Sequence, residues 1–259
     1  MVTVFSSTGC IRCRIVKQFL DDSEIPFTEH DVKTEEGSAA FRSFYRVHRL
    51  EIRRDTEGIF FPIVTDGETI SQDVGPSLAR FMDGDGLLSC IFPNNLGHGW
   101  SGGLFPDSCP PELEKKFLLV MRRMKDGGLQ TEIESSGKNA SLLHAIIEEN
   151  LADRIIFCLW GNHMGIPGVD DPRLNTLKKV AEYQGGKLIL RIDTTWYAEE
   201  NIPLSDLAAL LEKSAEVARS ALGNIRPECL IRCSSDIKIN LLPLRTAVRR
   251  WIPNAEIEK

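Results

Sequence analysis

Two cysteines stand three positions apart where an alternating apolar run gives way to helical spacing. Val2-Thr3-Val4-Phe5 reads as a strand, and Ile15, Val16, Phe19 and Leu20 recur at helix intervals. Between them lies Ser6-Ser7-Thr8-Gly9-Cys10-Ile11-Arg12-Cys13. The first strand must therefore hand over to a helix whose N-terminus carries Cys10. Unpaired amides and the helix dipole favour an anion there, so the Cys10 thiol should ionise easily. Cys13 falls one turn later on the same face, where it can resolve a mixed disulfide formed on Cys10. A structural helix or half of a zinc site would also place two cysteines this way. No second Cys-x2-Cys or His-x3-His completes a zinc site, and no metal ligand is assigned.

Up to Gly84 the pattern continues as β-α-β-α-β-β-α. The first helix runs from Ile11 to Ser23, ahead of Pro26, and Phe27 to Val32 is a short alternating strand. A polar helix starts near Thr34, with Phe41, Phe44, Tyr45 and Leu50 at helix-like spacing. Phe60 to Thr65 reads as a strand, Asp66-Gly67 as a hairpin turn, and Glu68 to Ser71 as the returning strand. The last helix, Pro76 to Met82, is closed by Gly84.

Taken with the cysteines, this order resembles the thioredoxin fold and, within it, the glutaredoxins, over residues 1–84. The resemblance implies a thiol–disulfide oxidoreductase with Cys10 as nucleophile and Cys13 as resolving thiol. Pro62 matches that family's cis-proline, and Phe61 presents the carbonyl before it. Thr8 and Gly9 would set the approach to Cys10 and cap the helix. Arg12 and Asp73 would complete the substrate-binding set, with Asp73 facing a glutathione amine. No cofactor is required, and glutathione is a candidate co-substrate. Where the family has a lysine before the motif, a Pro-Tyr type dipeptide inside it and Thr-Val before the proline, this chain has Ser6-Ser7, Ile11-Arg12 and Phe60-Phe61.

Residues 85–111 read as a packed junction rich in glycine and proline, with apolar Phe92, Trp100 and Phe105. Residues 112–259 then alternate helix and strand, as expected of a parallel sheet with crossover helices. The fold class is thus α/β: a thioredoxin-fold domain followed by a β/α-repeat domain, for which a half barrel is one arrangement. Helices are expected near 112–126, 140–150, 172–184 and 204–220, and strands near 129–134, 154–160, 187–192 and 229–233. Over residues 99–235, Gly99 to Gly103 and Thr131 to Gly137 resemble the middle of radical-SAM activating enzymes, with Arg191 at a matching arginine. Leu104 stands where that family has a glutamate, and its Cys-x3-Cys-x2-Cys cluster loop is absent. No iron–sulfur cluster is therefore expected. Ser101-Gly102-Gly103 ahead of a helix is a candidate anion cradle.

The remaining cysteines read as structural. If 229–233 is a strand, Cys229 and Cys233 lie about 13 Å apart, too far for a disulfide. Cys158 belongs in the core. Cys90 and Cys109 read as buried or idle, with an extra resolving role for Cys10 as the alternative. His98 and His163 read as solvated loop residues. Arg46, Arg49, Arg53 and Arg54 form a basic stretch, either a solvated helix face or a surface for an acidic partner.

A net charge of −6 and a pI near 5.5 argue against nucleic-acid binding. No apolar run approaches the ~20 residues of a membrane span, and the N-terminus lacks a signal-peptide pattern. Seven unevenly spaced cysteines do not suggest a secreted disulfide framework, so a cytoplasmic location is expected. The expected partner is a disulfide-containing protein or a small thiol. The competing expectations are a docking or metal-carrying module without catalysis, and an accessory factor for radical-SAM chemistry without its own cluster.

Overall fold

The computed structural model describes residues 1–54, 58–92, 103–160, 170–194, 203–232 and 242–258. The chain divides into two units, Met1–Glu132 and Ile133–Lys259.

The first unit opens with β1 (Val2–Ser6), α1 (Ile11–Asp22), β2 (Phe27–Asp31) and α2 (Glu35–His48). It continues with β3 (Ile63–Thr65), β4 (Ile70–Gln72) and α3 (Val74–Asp83). The sheet order is β2-β1-β3-β4, with β1 parallel to β2 and antiparallel to β3. The expected β-α-β-α-β-β-α order holds throughout this stretch. Neighbouring residues of a strand face opposite sides of a sheet, and Val4 and Phe5 are both buried. Both faces of β1 are therefore covered. On the Phe5 side, Phe5, Ile52 and Ile63 form a core against Phe41, Phe44 and Tyr45 of α2, and Phe61. Phe5 meets Phe41 and Phe44 at ring distances of 5.4 and 4.7 Å. Elsewhere α1 buries Cys13, Ile15, Val16, Phe19 and Leu20 and packs on α3.

Strand β3 is shorter than the sequence suggests, since Phe60, Phe61 and Pro62 lie before it. The Phe60 carbonyl is taken by the Gln72 side chain at 2.7 Å instead of by a neighbouring strand. The Phe61–Pro62 peptide is cis.

Next come the short antiparallel pair β5 (Ile91–Phe92) and β6 (Gly103–Leu104), and then α4 (Glu114–Asp126). The sequence puts α4 at the start of the second domain, but α4 packs on α3 and α1. Arg123 pairs with Asp22 at 2.6 Å, and Lys116 pairs with Asp83. Gly127 lies so close to Ile15 that no Cβ would fit. Helix α4 therefore lies within the unit Met1–Glu132.

The second unit alternates strictly: β7 (Glu132–Ser135), α5 (Ala140–Glu148), β8 (Arg154–Trp160), α6 (Pro172–Glu182) and β9 (Lys187–Asp193). It ends with α7 (Leu204–Leu222), β10 (Glu228–Arg232), α8 (Leu242–Arg249) and β11 (Ala255–Glu258). The strands lie in chain order from β7 to β11, and β8 through β11 pair parallel. The helices also pack in order, α5 on α6, α6 on α7 and α7 on α8. Helix α8 and strand β11 lie beyond the last element read from the sequence, although Leu244, Val248 and Ile252 carry a helical period. Among the described residues no helix is long and apolar enough to cross a membrane.

Candidate active site

Strand β1 ends at Ser6, and the turn Ser7-Thr8-Gly9 carries the chain to α1, with Gly9 at φ +82°. The helix is capped by Cys10 itself, whose Sγ accepts the Cys13 N–H at 3.1 Å. This corrects the expected capping by Thr8 and Gly9. Thr8 instead donates both its hydroxyl and its backbone N–H to the Asp31 carboxylate at the end of β2. A disulfide joins Cys10 to Cys13, with a Cα–Cα distance of 5.3 Å. Cys10 is half-buried, whereas Cys13 is only 2% exposed. The Phe61 carbonyl oxygen, just before Pro62, lies 3.9 Å from the Cys10 sulfur. Four of the predicted site residues, Cys10, Cys13, Phe61 and Pro62, are thus brought together by α1 and the turn before β3.

Arg12 and Asp73 also meet. Asp73 is 1% exposed, caps α3 through the Val74 N–H at 2.7 Å, and has the Arg12 guanidinium 3.9 Å away. Burial lowers the pKa of nearby Arg53; the Asp73 charge opposes this and Arg12 adds to it. The Asp73 carboxylate thus faces the Arg12 guanidinium and also acts on the Arg53 charge. An ammonium group arriving at Asp73 would meet the Arg12 guanidinium there.

A groove of about 460 Å³ runs along the other side of the pair, lined by Thr8, Cys10, Cys13, Lys17, Glu29 and Asp31 among others. The sequence reading did not single out the last three. Lys17 pairs with Glu29 at 2.6 Å, and the Ser6 hydroxyl donates to the same carboxylate. Burial alone would raise the Glu29 pKa, but hydrogen bonds from Lys17 and Ser6 and the Lys17 charge outweigh it and hold the group low. Asp31 is held low by the Thr8 hydroxyl and by backbone N–H groups of Lys33 and Thr8. Gln72 was also missed. Its amide bonds the Arg53 N–H at 2.8 Å, the Arg53 carbonyl at 3.0 Å and the Phe60 carbonyl, so β4 braces the segment leading to Pro62.

The other predicted residues lie apart from this site or outside the described residues. Ser101, Gly102, His98, His163 and Cys233 belong to the latter. Gly103 opens β6 opposite Phe92, and the next α-helix, α4, begins at Glu114, so Gly103 is not at an α-helix N-terminus. A Cβ there would meet the Phe105 ring at 2.8 Å. Cys158 is not a core thiol. Phe157 and Leu159 point into the core, and Cys158 faces the other way, donating to Glu134 at 3.3 Å. Glu134 also pairs with Arg191, the register neighbour of Cys158 on β9. Cys229 is fully buried, and burial pushes its thiol up to about 12. In the basic stretch Arg46, Arg49 and Arg54 are exposed, and His48 pairs with Glu51 at 2.8 Å.

Residues 2–48 match the Glutaredoxin family model, a span that covers β1, α1, β2 and α2 and includes both cysteines of the site. No curated protein gives a significant match to the chain.

Proposed function

We propose that the first unit is a thiol–disulfide oxidoreductase acting through Cys10 and Cys13. The observation that carries the reading is the bonded Cys10–Cys13 pair at the start of α1, facing the carbonyl that precedes Pro62. The match of residues 2–48 to the Glutaredoxin family supports the same class of chemistry.

The different exposure of the two sulfurs assigns their roles. In the reduced protein the Cys10 thiolate, favoured by the Cys13 N–H and the helix N-terminus, attacks one sulfur of the substrate disulfide. That S–S bond breaks, a thiolate leaves, and Cys10 holds the other half as a mixed disulfide. Cys13, too buried to meet an external disulfide, attacks the Cys10 sulfur and expels the second substrate thiolate. The Cys10–Cys13 bond remains, ready for reduction by an external thiol such as glutathione. Phe61 and Pro62 form one wall of the docking site, and Thr8 and Gly9 set the approach from the other side. Arg12 lends positive charge nearby while held by Asp73.

Disulfide-bearing proteins or small disulfides are the proposed partners, and a cytoplasmic setting would keep the pair reduced. Turnover of a small disulfide by wild type, lost in Cys10→Ser, supports the proposal. No turnover by wild type with a working reductant present overturns it.

A further inference from the structure

The outer surface of α2 carries charge of one sign. Residues 42–54 hold five arginines and one carboxylate, in a chain whose net charge is −6. That carboxylate, Glu51, is taken by His48 at 2.8 Å. Arg42 and Arg46 lie on α2 and Arg49 just past its end, where the backbone is still helical at φ −58° and ψ −24°. The three follow at intervals of four and three positions, so they share one ridge, and all are exposed. Among the described residues no salt bridge engages them. Val47 and Leu50 form the next ridge, 75% and 94% exposed. Apart from Met1, these are the two most exposed large hydrophobic side chains among the described residues.

Helix stability alone does not account for this face. Cations near a helix C-terminus are favourable, which covers Arg46 and Arg49. Arg42 lies a full turn earlier, and like charges repel at the four-residue spacing of Arg42 and Arg46. Leu50 and Val47 add nothing to the core, which α2 meets through Phe41, Phe44 and Tyr45.

The face borders the docking wall. Phe41, next to Arg42, packs on the Phe61 ring at 5.4 Å. Past Leu50 the chain turns back, and Gln72 ties the Arg53 backbone to the Phe60 carbonyl. A protein with its disulfide at Cys10, against the Phe61 carbonyl, meets α2 once it extends beyond that wall.

We propose that Arg42, Arg46 and Arg49, with Val47 and Leu50, select the protein substrate, whose disulfide is flanked by carboxylates and apolar side chains. The inference rests on the oxidoreductase reading of Cys10 and Cys13. Guanidinium suits the task because it grips a carboxylate through two parallel N–H···O bonds. Opposite charge speeds encounter and fades with salt, while the apolar pair gives contact that salt does not screen. An anionic lipid surface also attracts basic and apolar residues together. The place of the face beside the docking wall favours a protein, because a protein substrate meets both.

Three peptides test it. Each has the same small disulfide ring, flanked by glutamate and leucine, by lysine and leucine, or by glycine and serine. Reduced protein is mixed with each, quenched by alkylation, and closure of Cys10–Cys13 is followed by mass. Each closure reduces one peptide disulfide to two thiols, so no other reductant is needed. At low salt the acidic peptide should react about tenfold faster than the glycine–serine one, and the lysine peptide slowest. The acidic advantage should shrink toward ~1 M salt. Arg42→Gln/Arg46→Gln/Arg49→Gln should abolish that advantage, with closure by hydroxyethyl disulfide, small and uncharged, as in wild type. Val47→Ser/Leu50→Ser should slow the acidic peptide and keep its salt dependence. Equal rates with all three peptides, or an acidic preference that survives the glutamine variant, overturns the proposal. So does sedimentation with phosphatidylserine vesicles in place of a peptide preference, which would assign the face to a lipid surface. No closure even with hydroxyethyl disulfide overturns the oxidoreductase reading, and the proposal with it.

Discussion

The carbonyl oxygen of Phe61 stands 3.9 Å from the sulfur of Cys10, although fifty-one positions of chain separate them. One group belongs to the turn before β3 and the other to the first residue of a helix cap. Their approach depends on how firmly that turn is held. Gln72 holds it from β4 through the Phe60 carbonyl, and Phe41 of α2 packs on the Phe61 ring at 5.4 Å.

The first prediction concerns the reactivity of Cys10. In the reduced protein its thiolate should form below the ~8.5 of a free cysteine, because the Cys13 N–H and the α1 N-terminus stabilise the anion. The rate of alkylation against pH gives the midpoint. A value at or above 8.5 contradicts the role of the cap. Cys229, pushed to about 12 by burial, should stay unmodified in the native protein throughout.

Gln72→Met tests the brace. The substitution keeps the bulk but removes three hydrogen bonds at a residue 6% exposed. Leaving such groups unpaired costs about 1–3 kcal/mol each when they stay dry, so a loss of roughly 2–4 kcal/mol is expected by denaturant unfolding. Turnover of a protein disulfide should fall more than that of a small one, since the docking wall loosens while Cys10 is untouched. Equal losses on both substrates would argue that the brace serves stability alone.

Gly37→Ala should destabilise the first unit. A Cβ at this buried helical position would strike the backbone carbonyl of Asp31, which cannot swing aside as a side chain could. Crowding of this kind costs about 1–3 kcal/mol, read as a lower denaturant midpoint at unchanged slope. A neutral or stabilising result would mean that α2 can move away from β2.

The Lys17–Glu29 pair should show itself in acid. Glu29 is held below its ordinary 4.5 when folded, so its contribution is fully present above that pH and is lost as pH falls through the folded value. Lys17→Met should therefore lower the melting temperature at about pH 6, with the gap to wild type closing toward about pH 3. Both groups are about a third exposed, which keeps the effect below about 1 kcal/mol. A gap that does not change with pH would assign the loss to packing of the lysine stem.

Local patterns made much of this molecule readable. The step from Val2-Thr3-Val4-Phe5 to helical spacing located the Cys10–Cys13 turn, and period changes located most helices and strands. The polar side chains that set the site were not readable. Gln72, Glu29 and Asp31 act on partners twelve to twenty-three positions away, and no local spacing encodes such a bond. Cys158 looked like core because its strand is apolar, yet alternation turns it away from Phe157 and Leu159. Gly103 looked like a helix entrance because glycines precede many helices, yet it pairs with Phe92 in a strand.

The strand order of the second unit bears on how it comes into being. Because β7 to β11 lie side by side in chain order, each new strand docks on the one made just before it, and each helix on its predecessor. Loop closure then spans only one β/α step at a time, so the entropic toll per contact stays small. Such a unit can grow by accretion in chain order, as a chain does when it leaves the ribosome.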